Sequence, residues 1–502
     1  MTHTLKGVPV LVVGAGIMGA GIAQVAAQAG HSVLLFDARN GAAAQAKEKL
    51  AKTLEGLAVK GKLSTEAVAQ TLSRITAIAT LEEAADVGLV VEAIVEKLDA
   101  KRVLLQQLEA IVATDCVLAS NTSSISVTAI ANGLQHPGRL VGMHFFNPVP
   151  LMKLVEVVSG LQTEPAVASS IFDLSKDWGK VPVYARSTPG FIVNRIARPY
   201  YAETLALLQE QAATPAVLDA CLRGAGFRMG PCELMDLIGH DTNFSVTQSV
   251  FEANFYDKRF VPSLVQRELV DGGLLGRKSG RGFYDYADGV SAPELETAQP
   301  VQLPSAQLLR VHGQGPVADR WVTALLQAGQ AFLRVPGSDW VGLGVEGAQL
   351  RLTDGRTASQ LGVEVAVFDL PLNVASGAAL AWSPSLRASP AWMRAAPRWL
   401  ATLGFKPQRV ADTPALVVAR TLAMLINEAA DAVQQGVCTQ DGADAAMKLG
   451  VNYPAGPFEW LAQWSTPAVL GVLDALDAHY RGERYRVSPW LRQRPWMDVE
   501  AS

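Results

Sequence analysis

Val8-Pro-Val-Leu-Val-Val13-Gly14-Ala-Gly16-Ile-Met18-Gly19-Ala-Gly21 decides the fold: a β-branched apolar run passes directly into glycines spaced G-x-G-x-x-G, and a helical pattern follows to Ala29. A strand that turns on such glycines into a helix is the dinucleotide fingerprint. Gly14 permits the tight turn, Gly16 lets backbone approach a pyrophosphate, and Gly19 lets the helix pack on the strand, with the helix N-terminus facing the phosphate charge. The next strand, Ser32–Phe36, is followed by Asp37, placed to accept from both ribose hydroxyls and to repel a 2′-phosphate. The expected cofactor is therefore NAD. Arg39 nearby counts the other way.

Outward from this point, residues 8–184 alternate short apolar runs with helical patterns, which predicts a parallel sheet with crossover helices. Strands are expected at Val8–Val13, Ser32–Phe36, Val87–Val91, Val117–Ala119 and Leu140–Phe146. The character changes at Thr188-Pro-Gly-Phe191, where Thr as N-cap and Pro at the first helical position predict the start of a helical domain running to about Tyr286. A second Thr-Pro at 413–414 (413 − 188 = 225) exposes an internal repeat. The same offset pairs Gly179 with Gly404, Pro182 with Pro407, Arg195 with Arg420 and Glu203 with Glu428. Gly230-Pro231 recurs at Gly456-Pro457 and Glu233 at Glu459, an offset of 226 (456 − 230) that one inserted residue explains.

The fold class expected is thus an α/β Rossmann domain (1–186), an all-α domain (187–290), a reduced Rossmann-like domain (305–411) and a second copy of the all-α domain (412–495). A Pro-, Ala- and Gln-rich linker near Ala292–Gln307 precedes the reduced domain. There, strands are expected at Leu308–Val311 and Val363–Phe368, with a helix after Pro316. Gly313-Gln-Gly315-Pro-Val-Ala318 formally satisfies the dinucleotide pattern. With Pro inside the motif and no acid closing the next strand, a vestigial domain is the preferred reading.

Two polar segments end later strands of the first sheet: Ser120-Asn-Thr-Ser123-Ser124 and His144-Phe-Phe-Asn147. Open α/β sheets bind ligands beyond the carboxyl ends of their strands, which brings Ser123, His144 and Asn147 to the expected nicotinamide position. Glu156 interrupts the apolar run Leu154-Val-Glu-Val-Val158 and needs a donor or cation if buried. An imidazole suits removal of an alcohol proton as hydride leaves, and a carboxylate would orient it. From spacing alone, a structural ion pair between His144 and Glu156 stands equally open.

Composition narrows the partners. The chain has 502 residues, 49% hydrophobic and 18% charged, with 43 basic against 47 acidic side chains. A net charge of −4 argues for neither nucleic acid nor an anionic membrane surface. Cys116, Cys221, Cys232 and Cys438 are far apart and suggest no disulfide framework or metal site, and the chain is expected to be cytoplasmic.

The segments Gly14-Ala-Gly-Ile-Met-Gly-Ala-Gly-Ile-Ala23, Val90-Val-Glu-Ala-Ile-Val-Glu96, Ser120-Asn-Thr-Ser-Ser124, Gly142-Met-His-Phe-Phe-Asn-Pro-Val-Pro150 and Thr188-Pro-Gly-Phe-Ile-Val-Asn-Arg195 together resemble the 3-hydroxyacyl-CoA dehydrogenase family. The resemblance implies that His144 is the base, Glu156 its partner, and Ser123 and Asn194 hydrogen-bond donors to the substrate. It also implies cofactor contacts at Gly14, Gly16, Met18, Gly19, Asp37, Glu96, Lys101, Ser123, Asn147 and Lys278. The long form, including Phe227-Arg-Met-Gly-Pro231 and Phe260-Val-Pro-Ser-Leu-Val-Gln266, is similar to the members that act on 3-hydroxyadipyl-CoA in phenylacetate catabolism. Arg228, Lys258, Arg259 and Arg277 are then the candidate cations for a far carboxylate. The Lys47, Lys49, Lys52, Lys60 and Lys62 run is a candidate for the nucleotide phosphates of coenzyme A. Alternatives are a 3-hydroxybutyryl-CoA or general fatty-acyl dehydrogenase, a dehydrogenase of free hydroxy or sugar acids and, in another class, a non-catalytic NAD-binding structural protein. Short family members pair helical domains across a dimer, so the tandem copies are expected to form an intrachain pseudo-dimer, with homo-oligomers still possible. Ala419 stands where Asn194 does in the first copy (419 − 194 = 225), so the second copy is expected to be non-catalytic.

Overall fold

A computed structural model describes residues 5–290, 295, 297–299, 308–372 and 377–497. The chain divides into two compact units. The first comprises Met1–Arg195 with Ala432–Val451, and the second Ile196–Asp431 with Asn452–Ser502.

The first unit holds an eight-stranded sheet, β1 (Val10–Val13), β2 (Val33–Phe36), β3 (Ile75–Ala77), β4 (Leu89–Glu92), β5 (Val117–Ser120), β6 (Leu140–Phe145), β7 (Leu154–Ser159) and β8 (Val181–Arg186). Its spatial order is β3-β2-β1-β4-β5-β6-β7-β8, all parallel except the antiparallel pair β6/β7. The order reverses beside β1, which makes the crevice beyond β1 and β4 the ligand position. β1, β4 and β5 are buried along their whole length, as expected where helices cover both faces of a parallel sheet. The expected strands are all present, each within two residues of its predicted ends. The segment 432–451 completes this unit, its Val437 carbonyl accepting from the Arg186 N–H (2.9 Å). The Gln435 amide oxygen receives the Arg195 guanidinium at 2.8 Å.

The helix expected from Thr188 starts later, at Val193. Gly190 (φ 77°) and Phe191 (φ 46°) are left-handed, and the buried Thr188 hydroxyl caps nothing among the described residues. The Thr-Pro signal marks a tight turn here and not a helix cap.

The second unit contains a sheet larger than a reduced domain suggests: β9 (Leu309–His312), β10 (Phe332–Val335), β11 (Gly342–Val345), β12 (Ala348–Leu352), β13 (Val365–Phe368), β14 (Ala379–Pro384) and β15 (Lys406–Arg409). Its order is β10-β9-β11-β12-β13-β14-β15. β12/β13 and β14/β15 are parallel while β13/β14 is antiparallel, the same pattern as β5 to β8. The linker near Ala292–Gln307 lies mostly outside the described residues.

Helices of both copies meet in this second unit through buried ion pairs. Glu203, fully buried, accepts from Arg484 at 2.8 Å and from Arg420 at 2.8 Å, while Glu428 accepts from Arg259 at 3.1 Å. Since 484 − 259 = 225 and 428 − 203 = 225, the same Arg–Glu pair is made twice with the copies exchanged. No helix among the described residues is long and apolar enough to cross a membrane.

Candidate active site

The glycine turn matches a dinucleotide cradle. Gly14 has φ 105°, and a Cβ there would lie 2.4 Å from the Ala93 carbonyl oxygen; at Gly19 it would lie 1.7 Å from the Gly14 oxygen. Gly16 is exposed, and a Cβ there would meet nothing within 4 Å, the open approach a pyrophosphate requires. The helix Ile17–Gln28 starts here, with Met18 half-buried in its first turn. Asp37 accepts from the Ala15 N–H (2.8 Å), tying the end of β2 to the glycine loop. Hydrogen bonds from Arg39 hold the Asp37 carboxyl down at about 2, so it is anionic at neutral pH. Arg39 itself is largely exposed, while the Asp37 side chain is 10% exposed at the end of β2 beside the glycine loop. The residues therefore fit NAD.

Beyond the ends of β4 and β5 lies a charged chain that residue patterns alone did not reveal. Glu92, completely buried at the end of β4, accepts from Lys101 (2.7 Å), Ser120 (2.6 Å) and the Ile94 N–H (2.7 Å). Lys101 is buried too and reaches Glu96 at 3.2 Å. Glu96 in turn accepts from Thr122 (2.7 Å) and the Ser123 N–H (2.8 Å). The available signal was a carboxylate ending an otherwise apolar strand. Lys101 is thus beneath Glu96 and Ser123. Lys278 belongs to the second unit, where Asp241 holds it at 2.5 Å.

His144 and Glu156 stand directly opposite each other on β6 and β7. The His144 Nδ1 lies 2.5 Å from Glu156 Oε2, and both side chains are buried. The other carboxylate oxygen accepts from the Ile192 N–H (3.1 Å) and the Val193 N–H (2.9 Å), so the turn that displaces the helix start aims two backbone donors at Glu156. Phe146 (4.5 Å between ring centroids) and Phe191 (5.8 Å) flank the imidazole. Asn194 donates to the Ser123 carbonyl at 3.3 Å, which brings together the Ser123 and Asn194 segments. Asn121 Oδ1 takes the Phe145 N–H at 2.9 Å and fixes β6 to the Ser-Asn-Thr loop. Asn147 is exposed just past β6. The lysine run lies on and beyond the helix Ala42–Val59, its side chains largely in solvent.

The repeat extends into the second sheet, where the His–Glu pair is not repeated. Position 144 maps to Asp369 (369 − 144 = 225) and position 156 to Ala381 (381 − 156 = 225). The two remain cross-strand neighbours: the Asp369 N–H donates to the Ala381 carbonyl at 2.9 Å. Asp369 accepts from the N–H groups of Val417, Val418 and Ala419 at 2.6–2.9 Å, the role Glu156 plays for Ile192 and Val193. The carboxylate has moved across the strand pair, and the imidazole is gone. Ala415 and Leu416 repeat the left-handed turn of Gly190 and Phe191. Gly313 and Gly315 do precede the helix Pro316–Gln327, yet β10 ends at Val335-Pro336 without a carboxylate.

The arrangement matches known proteins along its length. The 3-hydroxyacyl-CoA dehydrogenase NAD-binding domain matches residues 9–188, the C-terminal domain of that family matches 190–286 and 416–495, and a 3-hydroxybutyryl-CoA dehydrogenase reduced Rossmann-fold domain matches 350–414. The 3-hydroxyadipyl-CoA dehydrogenase of Escherichia coli is 42% identical over 490 residues, 97% of this chain and 98% of that protein. The human mitochondrial hydroxyacyl-coenzyme A dehydrogenase is 42% identical over 287 residues, 55% of this chain and 90% of its own. The crystal structure of a 3-hydroxybutyryl-CoA dehydrogenase from E. coli K12 superposes with TM-score 0.88 at 41% identity, covering 99% of this chain and 100% of that one. With matches that run through both helical copies and both sheets, this chain belongs to the NAD-dependent 3-hydroxyacyl-CoA dehydrogenase family.

Proposed function

We propose that this chain oxidises (3S)-3-hydroxyadipyl-CoA to its 3-oxo thioester in phenylacetate catabolism, with His144 as general base. The observation that carries the catalytic part is the 2.5 Å contact between His144 Nδ1 and Glu156 Oε2. Full-length similarity to a relative named 3-hydroxyadipyl-CoA dehydrogenase supports the acyl chain. Glu156 holds the Nδ1 proton, leaving the Nε2 lone pair to receive the substrate hydroxyl proton, and stabilises the imidazolium that results. Bound NAD supplies the hydride acceptor. Ser123 and Asn194 position the substrate oxygen. Gly14, Gly16, Met18, Gly19, Asp37, Glu96 and Asn147 line the cofactor position, with Lys101 holding Glu96 from below. Lys278, half-exposed and paired with Asp241, remains a proposed cofactor contact.

The proposed boundaries remain 1–186, 187–290, 305–411 and 412–495. The exchanged Arg–Glu pairs support a pseudo-dimer of helical copies within one chain, and the absence of His and Glu at positions 369 and 381 supports a non-catalytic second half. The four free cysteines support a cytoplasmic location. NADH formation with 3-hydroxyadipyl-CoA and with 3-hydroxyhexanoyl-CoA, equal in length but lacking the far carboxylate, tests the assignment. The adipyl ester should show the higher kcat/KM. A clear preference for the hexanoyl ester would return the chain to general fatty-acyl oxidation.

A further inference from the structure

The four cations expected from sequence to meet a far carboxylate are not gathered into a site: Arg259 is buried against Glu428 and Asp431, Arg277 pairs with Glu233, and Arg228 and Lys258 are exposed. The exchange between the helical copies, in contrast, reaches the catalytic pair. Each copy lends a helix to the sheet of the other half. In the first unit the Arg186 N–H at the end of β8 donates to the Val437 carbonyl, and the helix Gln440–Gly450 of the second copy follows. In the second unit the Ala411 N–H donates to the Ala212 carbonyl (2.8 Å), and the helix Pro215–Gly224 of the first copy follows. Donor and acceptor both shift by 225 (411 − 186 and 437 − 212), so one docking is made twice. Thr214 and Thr439 cap the two helices with their side chains, and both helices end on a glycine.

The two glycines press on equivalent strands. A Cβ on Gly224 would lie 2.3 Å from the Ala379 carbonyl oxygen at the start of β14. A Cβ on Gly450 would lie 2.7 Å from Leu154 Cδ2 at the start of β7, and Leu154 is the counterpart of Ala379 (379 − 154 = 225). What they meet differs. On the second sheet the glycine faces backbone, whereas on the first it faces the side chains of Leu154, Val193 (3.0 Å) and Phe146 (3.6 Å). Each of these is joined to the catalytic pair. Leu154 is two residues from Glu156 and shares its face of β7. Phe146 flanks the His144 ring, and the Val193 N–H donates to Glu156. In the second half Phe146 and Leu154 are replaced by Pro371 and Ala379 (371 − 146 = 225), which offer neither a ring nor a branched chain. Cys438, just before the helix, feels the same carboxylate: burial first, and then the Glu156 charge, push its thiol up to about 12.

We infer that Gly450, a residue of the non-catalytic copy, is a positioning residue for the oxidation: it lets the end of its helix close on Leu154, Val193 and Phe146 and so fixes the shell that aims Glu156 at His144. The inference rests on the His144–Glu156 reading above. A side chain at position 450 would have to move Leu154 by about 0.7 Å to reach the 3.4 Å of ordinary contact (3.4 − 2.7). Leu154 and Gly450 are both buried in close-packed surroundings, so the displacement passes along β7 toward Glu156. A misplacement of about 1 Å at a catalytic centre costs about 10² in rate, so the smaller shift should cost about tenfold. The second half of the chain thus supports turnover without carrying any of the chemistry.

The experiment measures kcat, the KM for NAD and Tm in the full chain and in Gly450→Ala, Gly224→Ala, Leu154→Ala, the double variant Gly450→Ala with Leu154→Ala, and His144→Gln, using whichever of the two esters above turns over faster. Gly224→Ala makes the closer clash, on the Ala379 carbonyl, and is the purely structural control: its Tm should fall while kcat of the folded protein holds. Gly450→Ala should lower kcat about tenfold with the KM for NAD nearly unchanged, and Leu154→Ala should lower it several-fold by loosening the same contact. The double variant moves bulk from one side of the contact to the other and should turn over faster than either single variant. If Gly450→Ala does not fold, the double variant against Leu154→Ala decides: equal or slower turnover in the double variant overturns the inference. A folded Gly450→Ala protein with kcat within about twofold of the parent, or an equal fall in Gly224→Ala, also overturns it. Near-normal turnover by His144→Gln rejects the base assignment and this inference with it, whereas a large loss there beside an unaffected Gly450→Ala rejects the inference alone.

Discussion

Replacing Glu156 by Gln separates orientation of the base from its presence. Glu156 Oε1 satisfies two backbone donors, Ile192 and Val193, and Oε2 satisfies His144 Nδ1. Gln has one acceptor oxygen, and two converging N–H groups claim it. The NH₂ group then faces His144 and donates to Nδ1, so the neutral ring carries its proton on Nε2, where the substrate hydroxyl must deliver one. This is the wrong tautomer for a base. In serine proteases the equivalent exchange costs about 10⁴ in kcat, and loss of a positioned base generally costs about 10²–10⁴, so a fall within that range is expected. Stability should suffer less, by about 1–2 kcal/mol, because the two backbone donors stay satisfied. Steady-state NADH formation, with NAD affinity measured alongside, reads the first effect, and urea unfolding the second. A Gln variant with kcat within threefold of the parent, under conditions where chemistry limits the rate, would refute the tautomer argument.

Asp37→Ala should raise relative use of NADP, because the anionic carboxyl beside the glycine loop is removed while Arg39 remains; an unchanged NADP/NAD ratio of kcat/KM would contradict this. Burial lifts the Asp369 carboxyl to about 6, so between roughly pH 4 and 6 the folded protein holds a proton that the unfolded chain has released. Its contribution to stability therefore falls as pH rises through that window, by on the order of 3 kcal/mol at most. Asp369→Asn should remove that part of the slope, read as the change in urea midpoint between pH 4 and pH 6.5; identical slopes in both proteins would argue against it. Calorimetric titration with NAD should give one site per chain, whereas two would restore function to the Gly313 turn.

Much of the site was legible because catalysis uses residues that break local patterns. Three glycines in a β-to-helix junction, polar strand ends and a carboxylate inside Leu154–Val158 all stand out against an apolar background. The repeat was legible from Pro, Gly and charged positions in the helices. Its extension to Asp369 and Ala381 was not, since both residues are unremarkable in sequence until the β13/β14 register pairs them. Lys101 was named by the resemblance, but its pairing with Glu92 was hidden for a related reason. Their pairing joins a strand end to a helix nine residues later, and nothing in spacing distinguishes that from two solvent charges. Arg259 was misread as a ligand candidate because its acidic partners are some 170 residues away in the chain. The helix expected at Thr188 failed because Gly190 and Phe191 turn left-handed and Glu156 takes up the Ile192 and Val193 N–H groups, which in a helix from Thr188 would bond to the Thr188 and Pro189 carbonyls.

The central claim is that one His-based site removes hydride from a 3-hydroxyacyl thioester of coenzyme A. Its most direct test is NADH formation from 3-hydroxyadipyl-CoA, and from free 3-hydroxyadipate, by the unaltered chain and by His144→Gln. The account predicts turnover of the thioester alone, falling by about 10²–10⁴ in the variant with NAD binding nearly unchanged. Near-normal turnover by His144→Gln, or equal turnover of the free acid, would contradict it.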